Sequence, residues 1–224
     1  SEALWSLFGE NDAEEFANSA VEYLNKKHGS AIGHFNGDEN LSGTSPIQGA
    51  ELCSIVELMY SYEILFSITG NTEWLDRLEL LAYNSLPATL SPDMWTHQYD
   101  QMVNQAAAFP MSKQPFRTNN NEAHLFGLEP HFGCCTANFG QGFPKFALST
   151  FLKAENGIAS CALAPSFVES AINGVGVKCS LATEYPFRGK LKYTVEVESS
   201  VEFDFLIRIP SFAKSARVDG TEVK

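Results

Sequence analysis

Apolar positions recur at helical spacing through the first third of the chain. Residues 10–28 carry Ala13, Phe16, Ala17, Ala20, Val21 and Leu24 on one stripe, with Asn11 or Asp12 available as a cap. A second helix is expected from about 49 to 69, with Leu52, Ile55, Val56, Met59 and Phe66 inward and Gly70 as its stop. A third covers about 72–86, with Trp74, Leu75, Leu78, Leu81 and Ala82 on its buried side and Asn71 or Thr72 as cap. Residues 29–47, "GSAIGHFNGDENLSGTSPI", break the pattern with Gly, Ser, Asn and Pro, and residues 87–133 read as irregular and polar. Long loops in a compact domain are often functional. A further helix is expected after the adjacent cysteines of "HFGCCTANFGQGFPKF", ending near Lys153, with a kink or restart at Pro144.

After "ENG" the period falls to two. Val175, Val177, Cys179 and Leu181 alternate with polar residues, as do Leu191, Tyr193, Val195 and Val197, then Val201, Phe203, Phe205, Ile207 and Ile209. These predict half-buried antiparallel strands. Asp219-Gly220 opens a hairpin with almost no second strand. The fold class is therefore mainly α followed by β, with a helical region over 1–155 and a β region over 156–224. Both regions look cut, and the chain reads as a fragment of a larger protein.

Composition narrows the function. The 224 residues are 44% hydrophobic, enough for a sizeable core, and the net charge of −12 repels a phosphate backbone, so no nucleic-acid partner is expected. No run of about 18 apolar residues occurs, so no membrane span is expected. The N-terminus has neither the basic nor the apolar region of a signal peptide. Five cysteines are too few and too odd for a disulfide scaffold, which favours thiol or metal chemistry and a reducing, cytoplasmic location.

Cys161 and Cys179 fall on apolar strand faces and read as small core residues. Cys53, Cys134 and Cys135 differ. The adjacent pair sits at a helix start, where unpaired N–H groups favour thiolate. Three thiolates with the Glu51 carboxylate form a reasonable tetrahedral zinc set. Residues i and i+2 of a regular helix point about 200° apart, so Glu51 and Cys53 can share an ion only if the helix begins between them. The plain alternative is two core thiols and a capping carboxylate. Asp38 and Glu39, in a Gly-rich loop, are candidate acid/base groups or a solvated turn. His34, His97, His124, His131 and Tyr99 lie in loops and could meet substrate hydroxyls or the loop backbone.

The ordered set "GHFNGDENLSGTSPIQGAELCSIVE", "LAYNSLPATLSPD", "QYDQMVNQ", "GCCTANFGQGFPKF", "EYPF" and "LIRIPSFA" resembles glycoside hydrolase family 127, the β-L-arabinofuranosidase group. The resemblance covers the second half of that family's catalytic barrel and the start of a β domain. It implies a partial (α/α)6 barrel over 1–155 joined to a partial antiparallel β-sandwich over 156–224. It implies Zn2+ held by Glu51, Cys53, Cys134 and Cys135, with Cys134 as nucleophile and Glu39, rather than Asp38, as general acid/base. Tyr99 and His131 then contact the substrate, an arabinose-containing or related plant glycan. Two other readings stay open: a non-catalytic truncated module with a structural zinc, and a Cys–His acyl-transfer enzyme in which Glu51 and Cys53 have no role.

Overall fold

The computed structural model describes residues 11–105, 107–113, 116, 119–127 and 132–223. Helix α1, Asn11–His28, runs as the stripe predicts, but Phe16 is exposed and the face meeting the core is carried by Ala17 and Val21. The loop that follows is pinned by bridges Gly29 to Phe35, Gly37 to Leu41 and Gly37 to Ala50. It leads into strand β1, Ala50–Glu51, and directly into helix α2, Leu52–Thr69.

Leu52, Ile55, Val56 and Met59 of α2 are buried as expected, and Gly70 caps it at φ 67°, its N–H returning to the Phe66 carbonyl. By length and composition alone α2, at mean hydropathy 1.3, is apolar enough to cross a membrane; its buried face here is a core face. Helix α3, Glu73–Leu80, starts where the Asn71 side chain accepts the Glu73 N–H at 3.0 Å. It continues through a π-helical turn, Leu81–Ser85, into the short α4, Leu86–Ala88. That turn is not signalled by the apolar spacing of this segment. It presents Ser85, whose carbonyl takes the Gln101 amide at 2.7 Å and whose hydroxyl donates to the Ile32 carbonyl at 2.6 Å.

Within the supposedly irregular stretch, strand β2, Asp100–Gln101, pairs antiparallel with β1 in the register Ala50–Gln101 and Glu51–Asp100. Helix α5, Gly133–Leu148, passes through Pro144 without the expected break and ends five residues early. Gly142 makes room for it: a Cβ there would lie 2.9 Å from Leu86 and 3.1 Å from Val56, so α5 seats closely on α2 and α4 at this point.

The β region holds more strands than the alternation revealed. Strands β3, Phe151–Ala154, and β4, Gly157–Ser160, form a hairpin; β5, Ser166–Ile172, β6, Val175–Thr183, and β7, Leu191–Val197, form an antiparallel meander. β8, Asp204–Ile207, pairs parallel with β4, which corrects the antiparallel expectation for this segment. Alternation fixes which face a residue uses and says nothing about which strand it joins. β9, Ala216–Val218, and β10, Thr221–Val223, close the hairpin through Asp219 and Gly220, both at positive φ. Val177, Cys179 and Leu181 share one cluster with Phe151 and Ile158, so both three-stranded sheets contribute to it.

Arg208 ties this part to the helices. It is buried, donates to Asp76 at 2.5 Å and to Glu79, and its Nε reaches the Cys161 carbonyl at 2.8 Å. Glu79 also accepts the Leu163 N–H and the Tyr185 hydroxyl, each at 2.6 Å. Every acceptor is occupied, the condition under which a buried ion pair is tolerated.

Two outcomes are expected. Arg208→Met, which leaves the buried acids without their cation, lowers unfolding free energy by about 3–5 kcal/mol. Arg77→Met, whose partner Glu73 is largely exposed, costs under about 1 kcal/mol; urea midpoints decide both. His34 is buried with Nδ1 3.1 Å from the Ser85 hydroxyl, and burial lowers its pKa to about 4. A lowered pKa gives stability that is present above pH 6.5 and lost as pH falls through 4, on the order of 3 kcal/mol at full protonation. His34→Gln should flatten that part of the urea-midpoint profile between pH 7 and 4.

Candidate active site

The first residues of α2 and α5 meet. β1 ends at Glu51 and α2 begins at Leu52, so the break between Glu51 and Cys53 that a shared site requires is present. Cys134 and Cys135 occupy the first turn of α5. The sulfurs of Cys53 and Cys135 are 2.9 Å apart, and the three sulfurs of Cys53, Cys134 and Cys135 all lie within 4.8 Å of one another. Residues separated by some eighty positions thus form one group, and all five cysteines are free thiols.

Three thiolates about 2.3 Å from a tetrahedral ion sit about 3.8 Å from each other; Cys53 and Cys135 are closer than that, and it is the all-sulfur donor set gathered within 4.8 Å that could hold a thiophilic divalent metal. Glu51 is not among the atoms within 4.8 Å. Its Oε1 accepts the Glu39 N–H at 2.6 Å. Both helix starts place partial positive charge near the sulfurs. A hydrogen bond from Cys135 holds the Cys53 thiol below its ordinary range, and the same bond pushes Cys135 up. Desolvation raises Cys134, the only exposed cysteine among the described residues.

Glu39 takes a positive φ of 80°, a conformation that non-glycine residues adopt when their surroundings hold them there. Its N–H is on Glu51, and its carboxylate Oε1 accepts the hydroxyl of Tyr99. Asp38 is buried while Glu39 is exposed, which leaves Glu39 as the reachable carboxylate of the pair. Tyr99 is fully buried; its carbonyl takes the Leu52 N–H at 2.9 Å, one residue from Cys53. Its ring stacks on Phe132 with centroids 4.0 Å apart and planes at 21°.

His131 lies outside the described residues. His97 and His124 are buried and engaged, His97 Nε2 with the Thr136 hydroxyl at 3.1 Å and His124 Nε2 with the Phe109 carbonyl at 2.9 Å. His34 serves the loop, and Cys161 and Cys179 are core residues as expected.

Two participants escaped the sequence reading. Asp100 is fully buried opposite Glu51, and its Oδ2 accepts from Asn119 at 3.1 Å. Burial, then the charges of Glu51 and Asp38, push its pKa to about 9, so it is protonated at neutral pH. The signal available was an acid inside the amide-rich "QYDQ". Phe132 had no signal beyond its place before the Gly-Cys-Cys turn.

A sequence search finds no matching curated protein. Among solved structures the chain is similar over its whole length to a GH127 β-L-arabinofuranosidase from Geobacillus stearothermophilus T6, with TM-score 0.81 and 17% identity. It is likewise similar to a second GH127 β-arabinofuranosidase, with TM-score 0.76 and 16% identity, and to a glycoside hydrolase, with TM-score 0.74 and 16% identity. Identity at that level speaks for the fold, and the chain spans 36–40% of the length of those three. A family model described as β-L-arabinofuranosidase, GH127 catalytic domain, matches residues 14–148, more than half of the chain. The chain therefore belongs to glycoside hydrolase family 127, and residues 14–148 are catalytic-domain sequence of that family.

Proposed function

We propose that the chain carries the catalytic centre of a retaining glycoside hydrolase acting on β-L-arabinofuranosides of plant glycans. Residues 1–155 are read as part of an (α/α)6 barrel and 156–224 as the start of a β-sandwich. The observation that carries the reading is the convergence of the three sulfurs beside the Tyr99–Glu39–Glu51 contacts, with Cys134 the exposed thiol.

Cys134 is the nucleophile. Its thiolate attacks the anomeric carbon; the glycosidic C–O bond breaks, and the leaving oxygen keeps the electron pair and takes the proton of the Glu39 carboxyl. A thioglycoside on Cys134 results. Glu39, now a carboxylate, takes a proton from water, whose oxygen bonds to the anomeric carbon and expels the Cys134 thiolate. Tyr99 holds the Glu39 carboxylate where the sugar binds, and His131 contacts sugar hydroxyls. Glu51, Cys53, Cys134 and Cys135 would hold Zn2+, whose charge keeps bound sulfur deprotonated at neutral pH.

The second reading is a module with a structural metal and no turnover. It is favoured by the burial of Cys135 and its close contact with Cys53, which set two of the three sulfurs back from the surface. Metal analysis and hydrolysis of 4-nitrophenyl β-L-arabinofuranoside separate the two. The protein should bind about one zinc ion per chain. Cys53→Ala and Cys135→Ala should lose the ion, while Cys179→Ala, in the β6 core, keeps it. Cys134→Ser should reduce turnover by more than about 10³-fold; an unchanged rate would remove the nucleophile assignment. A zinc-loaded protein with no hydrolysis at all would support the structural module.

A further inference from the structure

Glu39 and the cysteine pair come from distant parts of the chain, yet a single aromatic residue touches the supports of both. The Phe132 ring stacks on Tyr99 at 4.0 Å, and the Tyr99 hydroxyl holds the Glu39 carboxylate. The Phe132 carbonyl accepts the Cys135 N–H at 3.0 Å, closing the first turn of α5. The Tyr99 backbone is already fixed by its bond to the Leu52 N–H. The Tyr99 side chain is packed in the core, and the Phe132 ring lies against its face.

We propose that Phe132 is a positioning residue that sets the place of the acid/base carboxylate through Tyr99 while its main chain fastens the cysteine turn. This rests on the reading of Glu39 as general acid/base. Stacking at this distance restricts the tyrosine ring, whose hydroxyl is bonded to Glu39 in the loop. The Glu39 backbone is held by Glu51, whose carboxylate the Tyr99 side chain also meets. Loss of the Phe132 ring therefore moves the carboxylate without releasing the loop. The consequence is selective: protonation of the leaving group suffers, whereas sulfur attack does not.

The test compares methyl and 4-nitrophenyl β-L-arabinofuranosides in the wild-type chain, Phe132→Leu, Phe132→Tyr and Tyr99→Phe. Nitrophenolate leaves without much acid assistance; methoxide does not. Phe132→Leu should lower kcat on the methyl glycoside by about 10²-fold with KM little changed, and affect the nitrophenyl substrate far less. Tyr99→Phe should show the same split, and Phe132→Tyr should restore most of the loss. An equal fall on both substrates in Phe132→Leu marks a merely structural role and overturns the proposal.

A second measurement does not depend on turnover. The buried Tyr99 hydroxyl proton, donated to a carboxylate, should give a slowly exchanging downfield proton resonance, assigned by its absence in Tyr99→Phe. It should vanish in Phe132→Leu and survive in Phe132→Tyr. Survival in Phe132→Leu overturns the proposal. If the wild-type chain cleaves neither glycoside while the resonance behaves as expected, the glycosidase reading falls and the positioning of Glu39 by Phe132 stands.

Discussion

The site exists because α2 and α5 can lie close enough for their first turns to meet. Gly142 suits that approach, since a Cβ there would press on the side chains of Leu86 of α4 and Val56 of α2. With the helices seated, Cys53 and Cys135 come to 2.9 Å and Cys134 falls alongside. The same approach brings two helix N-termini to one place, so both dipoles favour negative charge on sulfur there. Packing is thus prior to chemistry at this centre.

The surroundings are unusually acidic. Asp38, Glu39, Glu51 and Asp100 lie near enough to influence one another, and each added negative charge makes the next harder to hold. Desolvation raises Glu51, and burial together with its neighbours holds Asp100 protonated at neutral pH. The backbone answers part of this through the Glu39 N–H on Glu51, and Asn119 through its amide on Asp100. A cation held by the adjoining sulfurs would offset part of the remaining charge.

Much of this was legible in the sequence, for particular reasons. The stripes of α2 and α3 and the alternation in β6 report burial directly, and Asp219-Gly220 names its own turn; in β7 the alternation does not, since Val195 and Val197 are exposed. Two thiols side by side at a helix start have few ordinary structural uses, so that stretch is distinctive by its sequence alone. The pairing of β1 with β2 was not legible, because two-residue strands have no period. Neither was the parallel pairing of β8 with β4, which is settled by tertiary packing. The π turn at Leu81–Ser85 keeps a helical pattern of apolar residues and so hides in it. Phe132 and Asp100 acquire their roles only from neighbours far away in the chain.

The β part bears on the site along a continuous path of contacts. Arg208 grips Asp76 and Glu79 on α3, and α3 carries the π turn that presents Ser85. Ser85 receives the Gln101 amide and sits against His34, and so fixes both β2 and the loop that bears Glu39. β2 in turn registers Asp100 against Glu51, one step from the sulfurs. Each link is a buried hydrogen bond or ion pair whose loss leaves a polar group without water, so the path resists small displacements. A site built from short loops and two-residue strands has little regular structure of its own to hold it. The helix that runs from the Arg208 cluster to Ser85 ties the loops around the sulfur group to the β region, which itself supplies none of the three clustered cysteines.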